Sequence, residues 1–255
     1  MLPAPWMCAG FARGLAEGLL SVLIAPACAS CTTPLDEPTT SAVCRKCWDA
    51  IQPLTPPFCP VCGDPLPSWR SPDPQYRCPP CQANRRHIAR GRAVGEYEGT
   101  FRAILQALKY DGRRSVAGEV SRLMRDHGRS ILCGADCAVP VPLHWRRRWR
   151  RGFNQAAALA AGLGLPVVCG LRRVRNTPSQ TDLPAEHRRA NVRGAFRARR
   201  GVGLRDACVV LVDDVSTTGA TLDSCAKALL DAGVREVRTL IAARVVTRRP
   251  PSPRR

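Results

Sequence analysis

Residues Val209 to Leu222 read V-V-L-V-D-D-V-S-T-T-G-A-T-L, and the fold is decided here. Val209, Val210, Leu211 and Val212 form an unbroken, mostly β-branched apolar run, the pattern of a strand buried on both faces of a parallel sheet. Two carboxylates, Asp213 and Asp214, follow directly. A hydroxyl-rich loop comes next: Ser216, Thr217, Thr218, Gly219, Ala220 and Thr221. Helical spacing resumes at Leu222, with Ala226, Leu229 and Leu230 on the same face and Gly233 as the stop. Where a parallel strand passes through a short loop into a helix, loop N–H groups and the helix N-terminus converge on one point and favour an anion. Thr217, Thr218 and Thr221 add hydroxyl donors, and Gly219 allows close backbone approach. Asp213 and Asp214 repel phosphate, so they suit a polyol or a hard cation such as Mg²⁺. A phosphate flanked by vicinal hydroxyls describes a ribose 5-phosphate.

The chain around this stretch has 255 residues, room for one mid-sized domain and a small one. Its 45% hydrophobic content excludes wholesale disorder. A net charge of +19 points to a polyanionic partner, either nucleic acid or a phosphorylated ligand. Lysine occurs only at Lys46, Lys109 and Lys227, so the basicity is almost all arginine. Leu19 to Ala25 is apolar with Arg13 upstream, as in a signal peptide, but Glu17 interrupts the run. An amphipathic helix within residues 1–27 is the expectation, with no membrane span.

Eight of the fourteen cysteines fall into four C-x-x-C pairs: Cys28/Cys31, Cys44/Cys47, Cys59/Cys62 and Cys78/Cys81. Each pair places two thiolates on one tight turn, half of a tetrahedral Zn²⁺ shell, and two pairs close it. Sequential pairing gives one site from Cys28, Cys31, Cys44 and Cys47 and another from Cys59, Cys62, Cys78 and Cys81; a cross-braced arrangement satisfies the same spacing. Closed four-thiolate sites leave no open position, so both zincs are expected to be structural. The segment is Pro-rich with few core residues, which assigns most of its folding free energy to metal. Thiols held for metal belong in a reducing compartment, and a cytoplasmic protein is expected. The remaining six cysteines are scattered and read mostly as small buried apolar residues.

From Arg90 the pattern changes to alternating strands and helices. Ala93 to Tyr97 reads as a strand, Phe101, Ile104, Leu105 and Leu108 as one helix face, and Val116, Val120, Leu123 and Met124 as a second. Cys137 to Val141 reads as a strand leading into a loop with two tryptophans and five arginines, followed by a helix from Phe153. Trp145, Arg146, Arg147 and Trp149 suit base stacking and phosphate pairing. Equally, such a loop presents arginines to a diphosphate. Residues 176–196 are polar and long for a loop inside a compact domain, the profile of a lid.

Taken together, the four C-x-x-C pairs, V-P-V-P-L, R-R-G-F-N-Q-A, Q-T-x-L through R-x-x-N-V-x-G-A-F, and V-D-D-V-S-T-T-G-A-T-L resemble the ComF family of competence-associated proteins. The resemblance implies a double zinc ribbon (28–89) before a Rossmann-like α/β domain of the type I phosphoribosyltransferase class (90–247), and a basic tail (248–255). It implies binding of phosphoribosyl pyrophosphate (PRPP) with Mg²⁺. Asp213 and Asp214 would take the ribose hydroxyls, and Ser216, Thr217, Thr218, Gly219, Ala220 and Thr221 the 5-phosphate. Arg148, Arg150, Arg151 and Gly152 would take the pyrophosphate, with Gln180, Arg188 and Asn191 in a mobile hood. The role implied is support of DNA uptake with single-stranded DNA as partner. A blander option is an interaction scaffold in which the ribbon contacts a helicase-like partner, which no feature of the sequence identifies. Two alternatives share these residues: an active phosphoribosyltransferase of nucleotide or amine metabolism, and a zinc-ribbon DNA- or partner-binding module with a regulatory PRPP site.

Overall fold

The computed structural model describes residues 26–36, 41–67, 75–110, 115–143, 152–175, 192 and 194–246. The expected N-terminal helix and basic tail lie outside them. At the centre is a four-stranded parallel sheet in the order β1-β6-β5-β2. Its strands are β1 (Arg90–Glu96), β2 (Cys137–Pro140), β5 (Cys208–Ser216) and β6 (Glu236–Arg244). A small antiparallel ribbon, β3 (Leu171–Arg173) with β4 (Phe196–Ala198), forms a second sheet not hydrogen-bonded to the first. Among the described residues this body has the helices α3 (Gly99–Tyr110), α4 (Ser115–His127), α5 (Arg129–Leu132), α6 (Gln155–Ala161) and α7 (Ala220–Leu230). Two single-turn helices, α1 (Arg45–Asp49) and α2 (Pro79–Ala83), follow the second and fourth C-x-x-C pairs' first cysteines.

Strand β5 is apolar throughout its first half because it lies between β6 and β2 with helices on both sides. Alternate side chains serve opposite faces. Val210 and Val212 join a cluster with Phe101, Leu105, Leu108, Val120, Met124 and Leu159 from α3, α4 and α6. Val209 and Leu211 join the other, with Leu222, Ala226 and Leu229 of α7 and Phe196 of β4. Ser121, fully buried, lies 2.6 Å from the Ala117 carbonyl and 2.8 Å from that of Leu159, fixing α4 on α6. A Cβ on Gly162 would come within 2.4 Å of Ser121 Cβ, so the close approach of these helices needs glycine there.

The structure differs from the sequence reading at several points. Strand β5 continues through both aspartates to Ser216, because β6 pairs with it as far as Ser216↔Arg244. Helix α7 starts at Ala220 rather than Leu222, so the loop proper is Thr217–Gly219. Strand β1 begins earlier than expected, at Arg90, since its pairing with β6 starts at Arg90↔Arg238. Of the scattered cysteines, Cys137, Cys208 and Cys225 are buried as expected, but Cys133 and Cys169 are exposed, being in loops rather than elements.

The two ribbons dock differently. Cys28, Leu35, Val43, Cys47 and Ile51 belong to the large cluster on the α3/α4 side of the sheet, and Trp48 packs against it. Ser41 Oγ donates to Glu119 of α4 at 2.7 Å and accepts from the Trp48 indole N–H at 3.2 Å. The second ribbon has its own cluster of Cys59, Val61, Cys62, Cys78 and Cys81 with Leu66 at its margin. It is held to the sheet by polar contacts. Arg244, at the end of β6, donates to Asp64 at 2.7 Å and to the Cys62 carbonyl at 2.8 Å. Gly63, at φ +71°, sits where a Cβ would meet the Gly91 carbonyl at 2.8 Å, so the knuckle turn lies directly on β1.

Candidate functional site

The carboxyl ends of the four parallel strands open on one edge, and the chemistry-bearing residues collect there. This is where ligands bind in open α/β sheets. On β5, Asp213 Oδ1 accepts the Asp214 N–H at 2.9 Å and Asp214 Oδ1 accepts that of Val215 at 2.7 Å. Each carboxylate is thus oriented by the backbone next to it. Gly219, in the left-handed region at φ +73°, turns the chain into α7, and Thr218 Oγ1 accepts the Ala220 N–H at 3.4 Å. The loop is short and runs directly into the N-terminus of α7, the place in an α/β fold where an anion is favoured.

Lys109, in the last turn of α3, reaches this edge. Its Nζ is 3.0 Å from Asp214 Oδ2, both side chains being 13% exposed, and 5.6 Å from the centre of the Tyr97 ring. Burial is the largest single influence and depresses the ammonium pKa, but the charge and hydrogen bond of Asp214, with Tyr97 and Asp213 nearby, together outweigh it and hold Lys109 above its ordinary value. Asp213 differs: burial first, then the neighbouring Asp214 charge, raises its carboxyl well above the usual range. Among the described residues it forms no ion pair. A charge-deprived carboxylate beside a neutralised one fits hydroxyl donors or a divalent cation, so the donor set accords with a Mg-bound sugar phosphate.

Lys109 was not singled out by the sequence. The available signal was its identity: a lysine kept where arginine otherwise supplies nearly all the positive charge.

The loop after β2 has described ends only. Val141 accepts from the Asn154 side-chain amide at 3.1 Å, and Asn154 caps α6 by accepting the Ala156 N–H at 3.1 Å. Gly152, two residues before Asn154, is in the left-handed region at φ +73°. Arg148, Arg150 and Arg151, like Trp145, Arg146, Arg147 and Trp149, lie outside the described residues. So do Gln180, Arg188 and Asn191. The segment holding them leaves from β3 and returns at Val192, whose carbonyl accepts from Ser224 Oγ of α7 at 2.8 Å.

The eight ribbon cysteines form two groups, Cys28–Cys31–Cys44–Cys47 and Cys59–Cys62–Cys78–Cys81, each with all sulfurs within 4.8 Å of one another. The pairing is sequential, not cross-braced. A tetrahedral zinc with Zn–S bonds of about 2.3 Å separates its sulfurs by about 3.8 Å; Cys31 and Cys44 are 3.6 Å apart and Cys62 and Cys78 3.5 Å. Cys28 Sγ accepts the N–H groups of Ser30 and Cys44, and Cys59 Sγ that of Cys78. Hydrogen bonding from Cys62 draws the Cys59 thiol down and the same contact pushes Cys62 up, as happens when sulfurs are too close to ionise independently. A dication lets all four be thiolates. Both groups fit structural zinc.

Sheet, acidic pair and hydroxyl loop define a phosphoribosyltransferase-type domain joined to a double zinc ribbon. Family models agree: the double zinc ribbon domain matches residues 19–82 and the phosphoribosyl transferase domain residues 149–252. The DNA utilization protein YhgH of Escherichia coli (strain K12) is 34% identical over 218 residues, covering 80% of this chain and 91% of that protein. Competence protein F of Haemophilus influenzae is 30% identical over 217 residues with the same coverage, and competence protein ComFC of Bacillus subtilis (strain 168) 26% identical over 198 residues, covering 75% and 79%. The chain belongs to the ComF family. Among solved structures, the allosteric regulatory enzyme of purine biosynthesis is 25% identical, with a TM-score of 0.36 over 54% of this chain and 30% of that one. No helix among the described residues is long and apolar enough to cross a membrane.

Proposed function

We propose that the site at the end of β5 binds PRPP with Mg²⁺, and that the protein uses it in the handling of single-stranded DNA during DNA uptake. The observation that carries this reading is the arrangement of Asp213 and Asp214 against the Thr217–Gly219 loop, with Lys109 on one carboxylate only. The ribose hydroxyls donate to Asp213 and Asp214. Ser216, Thr217, Thr218, Gly219, Ala220 and Thr221 hold the 5-phosphate with hydroxyl and backbone donors, and Lys109 keeps Asp214 ionised and in place. Arg148, Arg150, Arg151 and Gly152 take the pyrophosphate, and the segment with Gln180, Arg188 and Asn191 covers the site. Mg²⁺, when bound, supplies the charge that lets a pyrophosphate lie near two aspartates. The DNA role rests on family membership, on relatives named for DNA utilization and competence, and on the charge of +19.

Titration calorimetry with PRPP and Mg²⁺ tests the site. Wild-type protein binds, and Asp213→Ala/Asp214→Ala protein binds at least about 100-fold more weakly, the loss of two charge-assisted contacts. Equal binding by both overturns the assignment.

A further inference from the structure

Behind the anion loop, at the seam between the second ribbon and α7, lies a cavity of about 350 Å³. One wall is the chain leaving the last zinc ligand, with Arg85, Arg86 and His87; the other is α7, with Asp223 and Lys227. Among the described residues Asp223 is the sole carboxylate lining it, and Asp223 is already engaged: it accepts the His87 N–H at 2.8 Å and lies 3.3 Å from the imidazole Nδ1. Lys227 pairs with Asp231, but that bridge is exposed and weak. Arg85 is exposed, with no ion pair among the described residues. Positive charge therefore prevails in the cavity.

Arg86 has the most specific geometry. Its Nη2 donates to the Thr218 carbonyl at 3.3 Å, a contact between residues 132 apart in the chain, onto the anion loop itself. Its Nε is buried and has no hydrogen-bond partner among the described residues. A buried N–H without an acceptor costs about 1–3 kcal/mol, so the site favours an acceptor brought by a ligand. The volume suits one nucleotide rather than a protein segment, and Val192 and Ala220 supply apolar surface for a sugar or base.

We propose that this seam cavity binds a nucleotide phosphate through Arg85, Arg86 and Lys227, and that Arg86 connects it to the PRPP loop. The proposal rests on the nucleic-acid and PRPP readings above. It locates a DNA contact on ribbon and α7 rather than on Trp145 to Trp149. Because Arg86 serves both sites, filling the cavity biases the loop, and by linkage PRPP changes affinity in the cavity by the same factor.

The test measures binding of a labelled single-stranded oligothymidylate and of dTMP to full-length wild type, Arg85→Ala/Lys227→Ala and Arg86→Ala over a range of salt. Arg85→Ala/Lys227→Ala is expected to lose at least about tenfold in affinity and about 1.4 in the salt slope, two contacts at about 0.7 each. Its melting temperature and PRPP binding stay at wild-type values. Arg86→Ala weakens both ligands. Loss of oligonucleotide binding with no dTMP binding assigns the cavity to a polynucleotide strand; parallel loss of both assigns it to any nucleotide. Wild-type oligonucleotide binding left intact in Arg85→Ala/Lys227→Ala overturns the cavity assignment alone. Wild type that binds neither probe overturns the nucleic-acid reading itself. PRPP binding untouched by Arg86→Ala overturns the link.

Discussion

In the first ribbon Cys28 and Cys47 share a hydrophobic cluster with Leu105 and Val210 of the α/β body, whereas in the second the cysteines pack mainly on one another, with Val61 and Leu66. Ligand spacing is nearly the same in both, yet the supporting physics differs. The first is glued to the protein by buried apolar area, to which zinc adds. The second has almost no core without its metal and is attached by Arg244, Arg86 and His87, all polar, with Arg86 reaching the anion loop itself. One ribbon is thus part of the body, and the other is an attachment that reaches the site. A shared motif does not imply a shared structural role.

The largest effect that can break this comparison is removal of one zinc ligand from each ribbon. Cys78→Ser should release one zinc per chain and unfold the second ribbon locally, because structural zinc contributes on the order of 10 kcal/mol in such modules. Cys44→Ser should also release one zinc, but leave Ile51 and Trp48 docked. Limited proteolysis with zinc quantification checks this: cleavage between residues 59 and 89 in the first variant, and no equivalent cleavage of 41–52 in the second. Equal lability of both ribbons refutes the contrast.

Arg244→Ala is next. Arg244 is 5% exposed, and its loss leaves the Cys62 carbonyl and Asp64 without their donor. Asp64 is partly solvated, so the cost falls below that of a fully buried pair, at about 2–3 kcal/mol. Thermal melts should drop by about 2–4 °C for each kcal/mol. A melting temperature matching wild type refutes a structural role for this contact.

The smallest effect concerns the site. Asp213 has a folded pKa raised above its unfolded value by burial and by Asp214. Between those two values the folded chain binds more protons, so stability falls as pH rises through the window and the penalty is complete above it. Asp213→Asn should lack this loss and melt above wild type at neutral pH, by about 2–4 °C for each kcal/mol relieved, though its PRPP binding is impaired. Melts from acidic to neutral pH measure the difference. Parallel curves for the two proteins show that Asp213 carries no buried-charge penalty.

Local patterns were legible in the chain. β-Branched residues at Val209 to Val212 specify a two-faced strand, and Phe101, Ile104, Leu105 and Leu108 are buried on one face of α3 as their spacing requires. The four C-x-x-C pairs read as zinc ligands because two thiolates on one turn have few other uses. Element ends were less legible. Asp213 to Ser216 remain in β5 only because β6 runs alongside, and nothing in their own side chains signals it.

By itself, then, the sequence determined what rests on neighbours within a turn or a strand: the parallel-sheet class, the acidic pair and hydroxyl loop, and the thiolate pairs. Tertiary structure alone decided which distant residues meet. It chose sequential over cross-braced cysteine groups, brought Lys109 to Asp214, and set Arg86 against Thr218 and Arg244 against Cys62. Long-range contacts depend on how β1, β6, β5 and β2 line up and on where each ribbon packs. No periodicity within a single segment encodes that alignment, because it follows from burying several segments together in one core.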